Sequence, residues 1–245
     1  MDPRYGERYR DLYERHWWWR ARTEFIVESI RRLSPPRGDI LDIGCGDGLF
    51  FDRLSEFGEV EGIEPCAELV NPGNPHRQRI YISPFDQAFQ PGKQYSLILM
   101  LDVLEHLDNP AAALRQIAAL LRPGGWFVAT VPAFNALWTN HDVLNHHRTR
   151  YTKSSFRNLI HDTGLRIRDA RYLYHWTFPL KLAVRVSERL FPREPQPPGI
   201  PPRLLNEFFY RFSRVEQKTV SLLPVPFGSS LFVVGAADPF FKEHA

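Results

Sequence analysis

Short apolar runs alternate with stretches of helical spacing along most of this chain. Ile40, Leu41 and Ile43 form the first run, suited to a buried parallel strand, and residues 60–63, 80–82, 95–101 and 126–131 repeat it. Helices are expected at 49–57 and 111–122. The second is opened by Asn109 as N-cap ahead of Pro110 and stopped by Gly124 and Gly125. This alternation predicts an α/β fold built on a largely parallel sheet.

Upstream, Tyr5, Tyr9, Leu12, Tyr13, His16, Trp17, Arg20 and Glu24 recur at spacings of three and four, which predicts one amphipathic helix over 5–32 with an aromatic stripe. Trp17, Trp18 and Trp19 cover more than one helical face, so at least one indole is expected to reach a pocket or a covering loop. Residues 34–38 then break the helix. Downstream, 134–150 lacks a period and reads as an inserted active-site loop. A helix at 154–163 ends at Gly164, and 165–174 reads as a strand. Residues 176–191 form a helix that is apolar on one side, 192–202 with six prolines an extended connector, 204–223 another helical segment, and 230–235 a closing strand. The two apolar helical segments are expected to pack together as a cap over the substrate cleft. The chain thus divides into an N-terminal helical cover at 1–38, a core of 39–174 plus 225–237, and a helical cap insertion at 175–224.

Candidate chemistry begins where the first strand ends. Gly44, Gly46 and Gly48 let the backbone turn tightly and approach a ligand, and Glu64 closes the next strand about 20 residues on, where a carboxylate can accept from both ribose hydroxyls. A dinucleotide GxGxxG beginning at Gly44 needs Gly or Ala at position 49; Leu49 stands there and disfavours a nicotinamide-dependent oxidoreductase. An acidic residue followed by GxGxG, here Asp42, Gly44, Gly46 and Gly48, resembles the first motif of the class I S-adenosylmethionine-dependent methyltransferases. The LDVLEHL segment at 101–107 and the LRPGG turn at 121–125 extend the resemblance over about 39–132.

That resemblance implies a Rossmann-like class I methyltransferase fold: a seven-stranded, mostly parallel sheet with helices on both faces, ending in an antiparallel pair, here with N-terminal and C-terminal helical cap elements. It implies S-adenosylmethionine as cofactor. The loop of Gly44, Cys45, Gly46 and Gly48 would pass the methionine part, Asp42 would order its amino end, and Glu64 would hold the ribose. Phe85 and Asp86 sit where the family's adenine-contacting residues lie, although Ser83, Pro84 and Asp86 equally suit a plain turn. Trp19 and Arg22 belong to an N-terminal element that can close over the cofactor, with the guanidinium pairing with the methionine carboxylate. Asp102, at the end of the fourth strand, should line the donor pocket with His106 beside it, while Glu105 suits helix capping as well as function.

Methyl transfer from a sulfonium is an in-line displacement, so the protein aligns the acceptor and excludes water. A base is needed only for acceptors that lose a proton. His146, His147 and Tyr151 are the catalytic candidates, with His141 and Asp142 nearby; the alternative for each histidine is a loop side chain bonded to backbone. No metal is expected, since the spacing is irregular and no histidine pair stands at i, i+4.

A net charge of +3 on 245 residues gives no global case for nucleic acid. Arg4, Arg8, Arg10, Arg15, Arg20 and Arg22 do crowd the N-terminal helix, which reads as a solvated face. Cys45 and Cys66 lack CxxC spacing, so neither a disulfide framework nor structural zinc is indicated, and a reduced cytoplasm is expected. No signal-type apolar core and no uncharged run of about 18 residues occurs, which predicts a soluble chain. The expected substrate is a small organic molecule, apolar or aromatic in part. The adenine- and glutamine-methylating signature is missing after the fourth strand, where Leu101, Asp102, Val103 and Leu104 stand. Two alternatives remain open. One is a quinone or lipid-like acceptor met at a membrane surface, suggested by Trp176, Phe178, Leu180, Leu182, Val184, Val186, Leu190 and Phe191 beside Lys181, Arg185 and Arg189. The other is a noncatalytic cofactor-binding module.

Overall fold

Seven strands hydrogen-bond into one sheet, and their order sets where a ligand can go. The computed structural model describes residues 3–192 and 194–238; the side chains of 3–7, Arg4 and Tyr5 among them, lie outside the described residues. The strands are β1 (Gly38–Ile43), β2 (Gly58–Ile63), β3 (Ile80–Tyr81), β4 (Tyr95–Leu101), β5 (Leu121–Pro132), β6 (Leu165–Leu173) and β7 (Ser230–Ala237), arranged β3-β2-β1-β4-β5-β7-β6. β1 to β5 pair in parallel, whereas β7 runs antiparallel to both β5 and β6. This is the expected mostly parallel sheet with an antiparallel close. Because β2 and β4 lie on opposite sides of β1, the chain reverses its direction of winding there and opens a crevice beyond the strand ends, where Ile43 stands opposite both Ile63 and Met100.

Helices cover both faces. On one, α4 (Pro110–Leu120) and α6 (Lys153–Ile160) bury Leu114, Ile117, Phe156 and Ile160 against Leu41, Ile98, Met100 and Phe127. On the other, α2 (Trp17–Leu33) and α3 (Phe51–Leu54) bury Phe25, Ile26, Ile30, Phe51 and Leu54 against Ile40, Leu97, Leu99 and Val128. Alternate residues of each strand therefore serve opposite cores, which is why the strands read as unbroken apolar runs.

Several boundaries differ from the sequence expectation. The single helix over 5–32 is two, α1 (Pro3–Arg15) and α2, because His16 adopts an extended conformation and its ring nitrogen caps α2 by accepting from the Trp18 N–H at 3.1 Å. The helix at 49–57 shortens to α3, since Gly48 is left-handed and Leu49 and Phe50 remain in its turn. Gly124 and Gly125 do not separate helix from strand. They form a bulge inside β5, so that Tyr95 pairs with Leu121 and Leu97 with Trp126.

The loop after β5 folds into a short helix, α5 (Asn140–Leu144), followed after β6 by α7 (Thr177–Leu190) and α8 (Arg203–Lys218). α7 and α8 do not pack side by side as a cap pair. α8 lies along α2, where Asn206 accepts from the Trp17 N–H at 2.9 Å and donates to the Arg15 carbonyl at 2.8 Å, satisfying backbone groups left open by the α1/α2 break. The link to α7 is local. Glu216 accepts from the backbone N–H of His175 and of Trp176 at 3.0 and 3.1 Å, and Trp176 stacks on Phe209 with centroids 5.1 Å apart.

Candidate active site

A cavity of about 1060 Å³ opens beyond β1 and β4. It lies at the upper end of the roughly 300–1,000 Å³ common for one ligand, so a cofactor and a second small molecule can share it. Gly44, Gly46, Glu64 and Asp102 line one end, with Trp19 and Arg22 from α2; His106, His141, His147 and Arg150 line the other, with α7 as its wall.

At the first end, Gly44 and Gly46 have φ of 72° and 54°, the left-handed region that glycine enters freely. A Cβ on Gly44 would stand 2.5 Å from Val103 Cγ2, whereas one on Gly46 would meet nothing within 4 Å, so that peptide faces open space. Glu64 Oε2 accepts from the Gly46 N–H at 3.0 Å and Oε1 from the Cys66 N–H at 2.9 Å, which fixes the carboxylate at the cavity edge. Burial raises its carboxyl above the usual range, against those two bonds. Asp42 is more strongly affected: burial pushes it up to about 7, opposed by the Arg22 charge and aided by Glu64.

Arg22, almost fully buried, places Nη2 2.6 Å from Asp102 Oδ2 and its guanidinium over the Trp18 ring. Asp102 turns off β4 with a left-handed φ of 57°, held by its N–H on the Thr130 carbonyl at 2.8 Å. The guanidinium expected to meet a methionine carboxylate is thus held here by an internal one. Asp42, Cys45, Gly48, Phe85 and Asp86 do not line the cavity. Asp42 is buried near the end of β1 and Cys45 points its side chain into the core from within the glycine loop, Asp86 accepts from the Ala88 N–H at 2.9 Å as a turn residue does, and Phe85 leans on Phe89 with ring centroids 6.0 Å apart.

At the other end, Asp142 organises the loop. It is fully buried and completes a capping box with Thr139, while Oδ1 accepts from His147 Nδ1 at 2.8 Å and from Arg150 Nη1 at 2.7 Å. Burial raises its pKa, but the His147 bond and the Arg150 charge prevail and hold the carboxyl below its ordinary range. With Nδ1 bonded to Asp142, His147 keeps Nε2 for the cavity. Arg150 bonds through all three of its nitrogens: besides Nη1, Nε donates to the Ala133 carbonyl at 2.9 Å and Nη2 to that of Ser229 at 3.2 Å.

The structure separates the three catalytic candidates. His147 lines the cavity; His146, left-handed at φ 55°, is exposed and does not. Tyr151 is buried, its hydroxyl donates to the Leu104 carbonyl at 3.2 Å, and burial raises its phenol further. His106 stands 4.8 Å from His147, ring to ring, and burial, then the His147 charge, lowers its pKa to about 4. Glu105 is buried with both carboxyl oxygens unbonded among the described residues, and burial, then the Asp102 charge, raises its carboxyl well above the usual range. Glu105, His106 and His147 bring one ligand atom each within 4.8 Å of one another and so could hold a cation. Sequence reasoning missed Arg150, Lys181 and Tyr9, which all line the cavity. For Arg150, the signal was a basic residue eight positions after an acidic one in a loop without a period.

The chain matches the methyltransferase domain family over residues 18–170, and with its sheet order it belongs to that family, within the class I S-adenosylmethionine-dependent methyltransferases. Among curated proteins it is similar to the ubiquinone biosynthesis O-methyltransferase of Albidiferax ferrireducens, 30% identical over 146 residues that cover 51% of this chain and 56% of that one. The protein of the same name from Aeromonas salmonicida is 31% identical over 136 residues, covering 46% and 56%. The chain therefore spans about half the length of the curated relatives it matches. Among solved structures it is similar to a chain of the complex between the Haloferax volcanii Trm112 methyltransferase activator and a methyltransferase, with TM-score 0.60 and 18% identity over 98% of this chain and 97% of that one. A TehB-like S-adenosylmethionine-dependent methyltransferase from Corynebacterium glutamicum gives 0.55 and 18% over 96% and 97%. These likenesses establish the fold.

Proposed function

We propose that this chain is an S-adenosylmethionine-dependent methyltransferase acting on a small organic acceptor that loses a proton, with His147 as the base and Asp142 as its positioning residue. The observation that carries this reading is that the His147–Asp142 pair opens into the same cavity as the glycine loop and Glu64. The residues fit the cofactor: the Gly46 peptide faces open space, and each Glu64 oxygen, already holding one backbone N–H, keeps a lone pair for a ribose hydroxyl. Asp102, Arg22 and Trp19 enclose the methionine end. When bound, the cofactor supplies an electrophilic methyl group and keeps the carbon–sulfur electron pair on sulfur. His147 Nε2 takes the acceptor's proton, Asp142 steadies the charged ring, and α1 and α2 shield the site from water.

Trp17, Trp18, Trp176 and Phe209 on the cavity wall support an acceptor that is apolar or aromatic in part. The second reading, a quinone or lipid-like acceptor at a membrane surface, draws on the exposed Val186, Leu190 and Phe191 of the α7 end and on the names of the relatives. No helix among the described residues is long and apolar enough to cross a membrane. A cytoplasmic location accords with two free cysteines.

Calorimetry with S-adenosylhomocysteine tests the cofactor. The chain should bind it and not NAD, and Glu64→Ala should lose about 1.5–3 kcal/mol. Comparable affinity for NAD, or unchanged binding in the variant, overturns the reading. Sedimentation with anionic vesicles, abolished by Leu190→Asp with Phe191→Asp, would favour the membrane reading.

A further inference from the structure

α7 presents one row to the cavity: Thr177, Leu180, Lys181, Val184, Ser187 and Glu188, at helical spacings. In this row Lys181 is the sole cation. It is half-buried and forms no ion pair or hydrogen bond among the described residues, whereas Lys93 has Glu61 and Lys218 has Glu28. The sequence placed Lys181 beside Arg185 and Arg189 as a basic fringe to an apolar helix. In the fold Arg185 leaves that fringe for the Asn135 carbonyl, and Lys181 turns into the cavity.

The carboxylates that bear on Lys181 already have partners. Asp142, on α5, is shared between His147 and Arg150, and Asp102, at the end of β4, is held by Arg22. Glu188 accepts from the Asn140 N–H at 2.9 Å, at the start of α5. Arg150 faces Lys181 with a like charge, and His141, which Lys181 itself helps to keep neutral, supplies none. Arg150 thus has Asp142 and Arg22 has Asp102, while the Glu188 carboxylate, on the same row as Lys181, accepts from Asn140 and makes no ion pair with Lys181 among the described residues. The Lys181 ammonium therefore faces the acceptor end with no carboxylate bonded to it among the described residues.

Resting on the methyltransferase reading, we propose that Lys181 is the acceptor-anchoring residue and that the acceptor carries an anionic oxygen group, distinct from the group that is methylated, which pairs with its ammonium. Held at that point, the acceptor's reacting group is presented to His147, which lines the same cavity. Burial, then the Arg150 charge, brings Lys181 down to about 8 against the pull of Asp142 and Asp102, so its ammonium is charged at neutral pH yet poorly solvated. Such a group gains from a counter-ion more than an exposed lysine does.

The test uses a matched pair of probes, 3,4-dihydroxybenzoate and its neutral methyl ester, titrated into the full chain saturated with S-adenosylhomocysteine. The unaltered chain should bind the acid at least about tenfold more tightly than the ester. Lys181→Met should abolish that preference while keeping ester and S-adenosylhomocysteine affinity, and Lys181→Arg should retain it. Equal binding of acid and ester, no binding of the acid, or a preference that survives in Lys181→Met overturns the proposal. Loss of S-adenosylhomocysteine binding by the unaltered chain would instead strike the methyltransferase reading, so the two failures are distinguishable.

Discussion

His147 Nδ1 lies 2.8 Å from a carboxylate oxygen of Asp142, five residues earlier in the chain and fully buried. A histidine held this way has one tautomer and one orientation, the two requirements of a base that acts on a positioned substrate. His147→Ala should therefore lower turnover by about 100-fold or more with cofactor affinity nearly unchanged. His146→Ala, at the neighbouring exposed position, should leave turnover close to that of the unaltered chain. Steady-state kinetics on an identified acceptor, paired with calorimetry, decides between them.

Asp142 also bears on stability. Its folded pKa is depressed below the unfolded value of about 3.9, so its contribution is fully present above that value and is lost as pH falls through the folded one. Thermal melts stepped downward from pH 5 should show this acid-side loss, and Asp142→Asn should lack it. At neutral pH the same substitution leaves Arg150 buried without a counter-charge and should cost about 3–5 kcal/mol by chemical denaturation.

Asp42 behaves in the opposite sense. Burial raises its pKa to about 7, so the ionised form opposes folding, and the destabilisation grows as pH rises from about 3.9 toward the folded value and then levels off. Asp42→Asn should raise the Tm of the cofactor-free chain at pH 8 and flatten its dependence between those limits.

Gly62, in the middle of the parallel sheet, is a position that the motif reading passed over. A Cβ there would lie 2.4 Å from Cys45 Sγ and 2.7 Å from the Phe51 ring, so the absent side chain lets the glycine loop and α3 close onto β2. Gly62→Ala should cost roughly 1–3 kcal/mol in urea unfolding through overpacking. Paired Gly62→Ala with Cys45→Ala should recover part of the loss, since it removes the nearer obstacle.

The sheet was legible because each parallel strand is buried on both faces and so announces itself as an apolar run, and because three glycines between two such runs leave few alternatives to a ligand-facing turn. Features set by distant partners were not legible. The break at His16 depends on a ring nitrogen that caps the next helix and on Asn206 from α8, and nothing in the local spacing of three and four reveals either. The docking of α8 on α2 follows from the same contact. His146 and His147 are chemically identical in sequence; the single left-handed residue at 146 decides which one enters the cavity. The isolation of Lys181 requires knowing that Asp142, Asp102 and Glu188 are already bonded to Arg150, Arg22 and Asn140, and those pairings come from separate elements.

The hydrogen bond from Trp17 to Asn206 joins residues 189 positions apart. Trp17 also packs against Trp176 and Phe209, so the roof over the cavity is assembled from both ends of the described chain. During synthesis the glycine loop and its flanking strands can pair early, as their contacts are local, but the roof must wait until α8 has emerged. A nascent chain halted before α8 would thus hold a nearly finished cofactor floor beneath an open aromatic face, a state in which the tryptophans are exposed to other chains.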